Sequence, residues 1–150
     1  MNKVLRRSVL LASLALLSMQ LPAHAADRTE EPSAPIILQG TETTLDEWLW
    51  IKRPVVVFAD NPADPRFQEQ IALLTQRYAA LEERDVVVIA DSDPAAQSAV
   101  RRALRPRGFA LVVMAKDGSI VTRKPRPWSV REITRQIDKL PLRQDEIKGF

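Results

Sequence analysis

The chain has no cysteine, and its single histidine, His24, falls within the first 25 of its 150 residues. Those 25 residues read as a leader that is cut away, which leaves a body with neither side chain. Disulfide exchange and thiol peroxidase chemistry need a thiolate. Serine–histidine and cysteine–histidine nucleophile systems need an imidazole. All are excluded, as are most zinc and copper sites, which draw on those two ligands. A membrane-length apolar run is also missing: Ser8–Met19 is shorter than the ~20 residues a spanning helix needs. No cysteine follows that run, so a lipoprotein anchor is excluded too.

The leader has three parts. Lys3, Arg6 and Arg7 form a basic start, the leucine-rich run follows, and Ala23-His24-Ala25 fits a small-x-small cleavage rule. Arg6-Arg7-Ser8 loosely resembles a twin-arginine signal, but the leucine-rich run favours the general secretory route. The expected product starts at Ala26, is periplasmic or secreted, and has no stable membrane insertion. A strong net charge is absent from it as well. Three of the 22 basic residues lie in the leader, so the remaining 19 balance 19 acids. The pI of about 9.6 therefore belongs to the precursor and gives no licence for nucleic-acid binding. Neutrality hides an asymmetry: residues 26–100 sum to −8 and residues 101–150 to +8.

What is present is an alternation of strand-like and helix-like stretches. Residues 26–35 are polar and read as a disordered linker; residues 36–142 form the domain, and 143–150 a C-terminal tail. Ile36–Leu38 is a short strand. Thr44-Leu45-Asp46-Glu47 is a capping-box pattern opening a short helix. Pro54–Ala59, Val86–Ala90 and Phe109–Ala115 are continuous apolar runs suited to strands buried on both faces. Asp64-Pro65 opens a helix whose stripe is Phe67, Ile71, Leu74, Tyr78 and Leu81. Asp93-Pro94 opens another, reaching about Leu104. Asp117-Gly118 marks a hairpin, with Ile120–Arg123 returning as an edge strand. Ser129-Val130-Arg131-Glu132 is a second capping box, and Pro141 ends the helix it starts. The order β-α-β-α-β-α-β-β-α predicts an α/β fold with a mostly parallel central sheet and an antiparallel C-terminal hairpin.

Arg53-Pro54-Val55-Val56-Val57-Phe58 followed by an aspartate–proline loop resembles the strand and active-site turn of thioredoxins. Gly108–Gly118 resembles their third core strand and hairpin. The turn Asp60-Asn61-Pro62-Ala63-Asp64-Pro65 has no cysteine, and Ala110 stands where thioredoxins carry their cis-proline. Leu45-Asp46-Glu47-Trp48-Leu49-Trp50, Asp64-Pro65-Arg66 and Asp138-Lys139-Leu140-Pro141-Leu142-Arg143 resemble a family of short secreted bacterial proteins known only as a domain of unknown function. Similar domains occur at the C-termini of some animal sushi-repeat matrix proteins. The resemblance implies a thioredoxin-like fold and supplies no catalytic residues or cofactor.

Three constellations remain. Asp60 follows the first core strand and Asp91 the second, at the carboxyl edge where open α/β sheets bind ligands; Asp64 and Asp93 lie close by in sequence, and Asp60, Asp64 and Asp91 are read as a candidate pocket. They are candidates for a hard-cation site or for acid–base work. Asp64 and Asp93, each before a proline, also explain themselves as helix caps, and no metal site is assigned. Arg101, Arg102, Arg105 and Arg107 form one basic cluster; Arg123, Lys124 and Arg126, followed by Trp128, form another. Arginine beside an aromatic suits phosphate, acidic polysaccharide or anionic headgroups. Solvated surface is the plainer reading. Trp48 and Trp50, at i and i+2, cannot share one helical face, so one of them is expected to be exposed. The sequence thus points to a non-redox binding module for an envelope protein or an anionic ligand, with Arg102, Arg105, Arg107 and Trp128 as its surface. The alternatives are an enzyme using carboxylates and arginines at the sheet edge, or a purely structural or stress-associated envelope protein.

Overall fold

A computed structural model describes residues 34–149. The expected leader, its expected cleavage site and nearly all of the expected linker lie outside the described residues. Five strands form one mixed sheet: β1 (Ile37–Gln39), β2 (Arg53–Phe58), β3 (Val86–Asp91), β4 (Ala110–Met114) and β5 (Ile120–Lys124), in the order β1-β3-β2-β4-β5. β3 pairs parallel with β1 and with β2. β4 pairs antiparallel with both β2 and β5. The expected mostly parallel sheet is therefore corrected to an even mixture. A helical connection permits either direction for the next strand, and β4 enters the sheet from the end where β2 and β3 finish.

Strands β2, β3 and β4 are buried along their whole length, as their unbroken Val/Ile/Leu runs require. Alternate residues face opposite layers. Val55, Val57, Val88, Leu111 and Val113 pack with Leu74, Leu81, Ile133 and Ile137. Those partners come from helices α1 (Pro65–Gln76), α2 (Tyr78–Glu82) and α4 (Val130–Ile137). Val56, Phe58, Ile89 and Val112 pack with Val100 and Leu104 of α3 (Ala99–Leu104).

Several helix boundaries differ from expectation. The helix after Asp64 breaks at Arg77 (φ −130°, ψ 36°) into α1 and α2. The one after Asp93 is a 3-10 turn, Pro94–Ala96; Gln97 then turns left-handed and Ser98 caps α3. The Thr44 box forms in half: Glu47 accepts from the Thr44 amide at 3.0 Å, but the helix is a single 3-10 turn, Asp46–Trp48, without a side-chain cap. The Ser129–Glu132 box forms completely. Pro141 does not end a helix but begins one. α4 ends at Ile137, and Pro141 occupies the first turn of α5 (Pro141–Lys148), where its missing amide costs nothing. The expected tail is thus mostly helix, and Glu146 from it pairs with Arg53 at 2.9 Å.

Candidate functional site

The end of the sheet where β2 and β3 finish is assembled by local capping. Phe58 pairs across to Asp91 and Ala110, and the Ala59 amide donates to the Asp91 carbonyl at 3.0 Å. In the following turn Asp64 caps α1, accepting from the Arg66 amide at 2.9 Å and its guanidinium at 2.8 Å. The Arg66 side chain holds the Asp64 carboxyl below its ordinary range. The same guanidinium lies 5.4 Å from the centre of the Phe109 ring.

Asp91 is committed elsewhere. It is buried, and it accepts from Arg101 Nε at 3.0 Å, from Arg101 Nη2 at 2.7 Å, and from the Ser98 hydroxyl. Arg101 Nη2 also donates to the Ala59 carbonyl at 2.8 Å. Gly40 must be glycine for this pair to fit, because a β-carbon there would sit 2.7 Å from Asp91 Oδ2. Two expectations are corrected here. Arg101 is not part of an exposed basic face, because a charge at its position is neutralised by the carboxylate below. Asp60, Asp64 and Asp91 do not share a pocket: Asp60 is exposed in the turn, Asp64 caps α1, and Asp91 is inside the fold. Asp93 caps the 3-10 turn through the Ala95 amide at 3.0 Å. Among the described residues, no group of three or more carboxylate, imidazole or thiol side chains is placed to hold a metal ion.

The two basic clusters, by contrast, meet. Arg105 and Arg107 lie in the loop before β4, and Arg123 and Lys124 end β5. The antiparallel β4–β5 pair brings its two feet together. All four cations line one depression of about 360 Å³, with Phe109 and Pro125 among its walls and no acidic residue. Arg123 is fixed by a bond to the Leu104 carbonyl at 2.9 Å, and Lys124 sits 4.5 Å from the centre of the Trp128 ring. Arg105 terminates α3 in the left-handed conformation, φ 47°. Neither the Arg105 nor the Arg107 guanidinium has an ionic or hydrogen-bond partner among the described residues. Arg102 is exposed but is not in the lining, and its guanidinium is turned to the Gln97 carbonyl. Trp128 is not a surface aromatic: it is 8% exposed and belongs to the core beneath Lys124. Reading the hairpin signal at Asp117-Gly118 together with the two basic runs would have found this convergence.

The opposite end of the sheet is different in kind. Arg53 is fully buried there and donates to the Arg84 carbonyl at 2.8 Å and to Glu146 at 2.9 Å. Lys116 bridges Asp85 and Glu146, each at 2.8 Å, and Arg143 reaches Glu146 at 3.2 Å. Partial burial pushes the Glu146 carboxyl up, but the bonds from Arg53, Lys116 and Arg143 outweigh it and hold it down at about 2. Beside this network Trp50 is 68% exposed, whereas Trp48 is half-buried and its indole donates to Thr43 at 2.9 Å. One tryptophan is exposed as expected, but not through helical spacing: Trp50 lies beyond the one-turn helix with a left-handed φ of 63°.

A mixed five-stranded sheet with helices on both faces, finished by an antiparallel pair, defines a thioredoxin-like α/β protein. Two solved structures share this plan. The desulfothioredoxin of Desulfovibrio vulgaris Hildenborough matches with 18% identity and a TM-score of 0.51, over 71% of this chain and 99% of its own. Prx1a of Plasmodium yoelii matches with 16% identity and a TM-score of 0.51, over 71% of this chain and 82% of its own. At such identity the likeness is one of fold. No curated protein sequence matches the chain significantly. Residues 44–146 match the family described as Domain of unknown function (DUF4174), and the chain belongs to that family.

Proposed function

We propose that this chain is a non-redox, thioredoxin-like binding module, exported to the periplasm or secreted, that holds an anionic ligand in the depression between Arg105, Arg107, Arg123 and Lys124. One observation carries the reading: four cations from two separate segments line one concavity that contains no carboxylate. Like charges gathered without a counterion repel one another, and an anion that enters relieves the repulsion while gaining charge-assisted bonds. Arginine suits the task because its planar donors match carboxylate and phosphate geometry. The chain has no cysteine, so the depression is offered as a recognition site, not a reaction centre.

The test is retention on an anionic matrix as a function of salt. Wild type is expected to bind at low ionic strength and to release as the Debye length falls from ~30 Å at 0.01 M to ~8 Å at 0.15 M. Replacing Arg105, Arg107 and Lys124 together by glutamine should abolish retention, while Arg102→Gln should leave it nearly unchanged. Equal elution of wild type and the triple variant would end the reading.

A further inference from the structure

We propose that the outer edge of β5 accepts an extended acidic peptide as a sixth strand, with the peptide's carboxylates delivered to the four cations at the strand's end. This rests on the anion-site reading and adds the partner to it. β5 is the last strand of the sheet and is bonded to β4 alone. Its outward amides and carbonyls have no hydrogen-bond partner among the described residues. Such an edge is a template for strand addition, in which the backbone supplies affinity and the side chains supply selectivity. The β4–β5 register skips Val121 between Met114↔Ile120 and Val113↔Thr122. The regular stretch is therefore Thr122–Lys124, which runs directly into the depression.

Cations on an edge strand are commonly a guard against unwanted pairing. A guard explains Arg123 and Lys124. It does not explain why Arg105 and Arg107, from another loop, line the same depression with no carboxylate in the lining. A cationic edge repels basic strands and attracts acidic ones, so the guard becomes a selector of charge. The other outer strand, β1, is three residues long and has no basic residue. Of the two outer strands described, β5 is the one whose open edge adjoins a depression lined by cations and by no carboxylate.

The test uses the purified protein and two fluorescent ten-residue peptides of identical sequence, built from valine, threonine and aspartate. One has a normal backbone; the other is N-methylated at alternate residues, which removes donors but no charge. The normal peptide should bind at low salt, with the methylated one about tenfold weaker. Binding should also slow amide hydrogen exchange at Thr122–Lys124. Substituting lysine for aspartate in the peptide, or making Arg105→Gln with Arg107→Gln in the protein, should remove binding. If both aspartate peptides bind equally and exchange at β5 is unchanged, strand addition is wrong while the anion reading survives. If pyrophosphate binds in an Arg105- and Arg107-dependent way and neither peptide does, the site takes small anions and the inference is overturned. If no anionic probe binds, both readings fail.

Discussion

Where β2 begins, Arg53, Lys116 and Arg143 all reach the one carboxylate of Glu146, and Asp85 takes a second bond from Lys116. Where β5 ends, Arg105, Arg107, Arg123 and Lys124 line a concavity with no carboxylate in its lining. Both ends are rich in cations, but each cation of the first set meets a carboxylate, and those of the second have no ionic partner among the described residues. The first ties the C-terminal helix α5 to the sheet. In the second, Arg123 holds the Leu104 carbonyl and Lys124 lies against Trp128, while Arg105 and Arg107 have no ionic partner among the described residues. Counting basic residues cannot separate these cases, because what distinguishes them is which cations form an ion pair in the folded chain.

The largest expected effect breaks the ion pair with both partners buried, Asp91–Arg101. Asp91→Ala leaves Arg101 buried without its counterion and should cost ~3–5 kcal/mol, read as a fall in the urea midpoint. Joint replacement, Asp91→Leu with Arg101→Met, should recover much of that loss, since no charge is then stranded. A cost below ~1 kcal/mol for the single change would mean that the pair is not a buried ion pair in solution.

Next comes the clasp of α5. Glu146→Gln should cost ~1–3 kcal/mol at neutral pH, the range for hydrogen bonds to charged groups. The sign with pH follows from a carboxyl lowered from 4.5 to about 2 in the folded protein. Its contribution is fully present above about 4.5 and is lost as pH falls through about 2. Melting temperature against pH should therefore fall less steeply in the variant across that window than in wild type. Parallel acid limbs would show that Glu146 does not carry the coupling.

Caps come third. Asp64→Ala and Ser129→Ala should each cost ~0.5–2 kcal/mol by chemical denaturation. Added calcium, magnesium or manganese should leave the melting temperature of wild type unchanged. A rise of several degrees that Asp64→Ala abolishes would make that carboxylate a metal ligand.

The smallest stability effect belongs to the unpaired set. Arg105→Gln and Arg107→Gln should each stay within ~0.5 kcal/mol of wild type, and Lys124→Gln, which gives up the contact with Trp128, within ~1 kcal/mol, while together the three remove anion retention. A large loss of stability in any one would place that cation with Arg53 and would erase the contrast between the two ends.

By itself the amino-acid sequence determined the strands, the caps and the missing chemistry. Unbroken β-branched runs can only be satisfied inside a sheet covered on both faces. Asp64 and Ser129 cap their helices through bonds that span two or three residues. The absence of cysteine removes thiolate chemistry whatever the fold. These properties are local, and local pattern reports them. Tertiary structure alone decided the fates of the charges. Arg101 and Arg105 are one helical turn apart, yet the first is locked on Asp91 and the second lines the depression. That outcome depends on β3 ending beneath α3, and on the β4–β5 pair carrying Arg123 and Lys124 back to Arg107. Glu146, in a stretch that read as a tail, meets Arg53 from 93 positions away. Ion pairing depends on separation in space, and the topology of the sheet sets that separation.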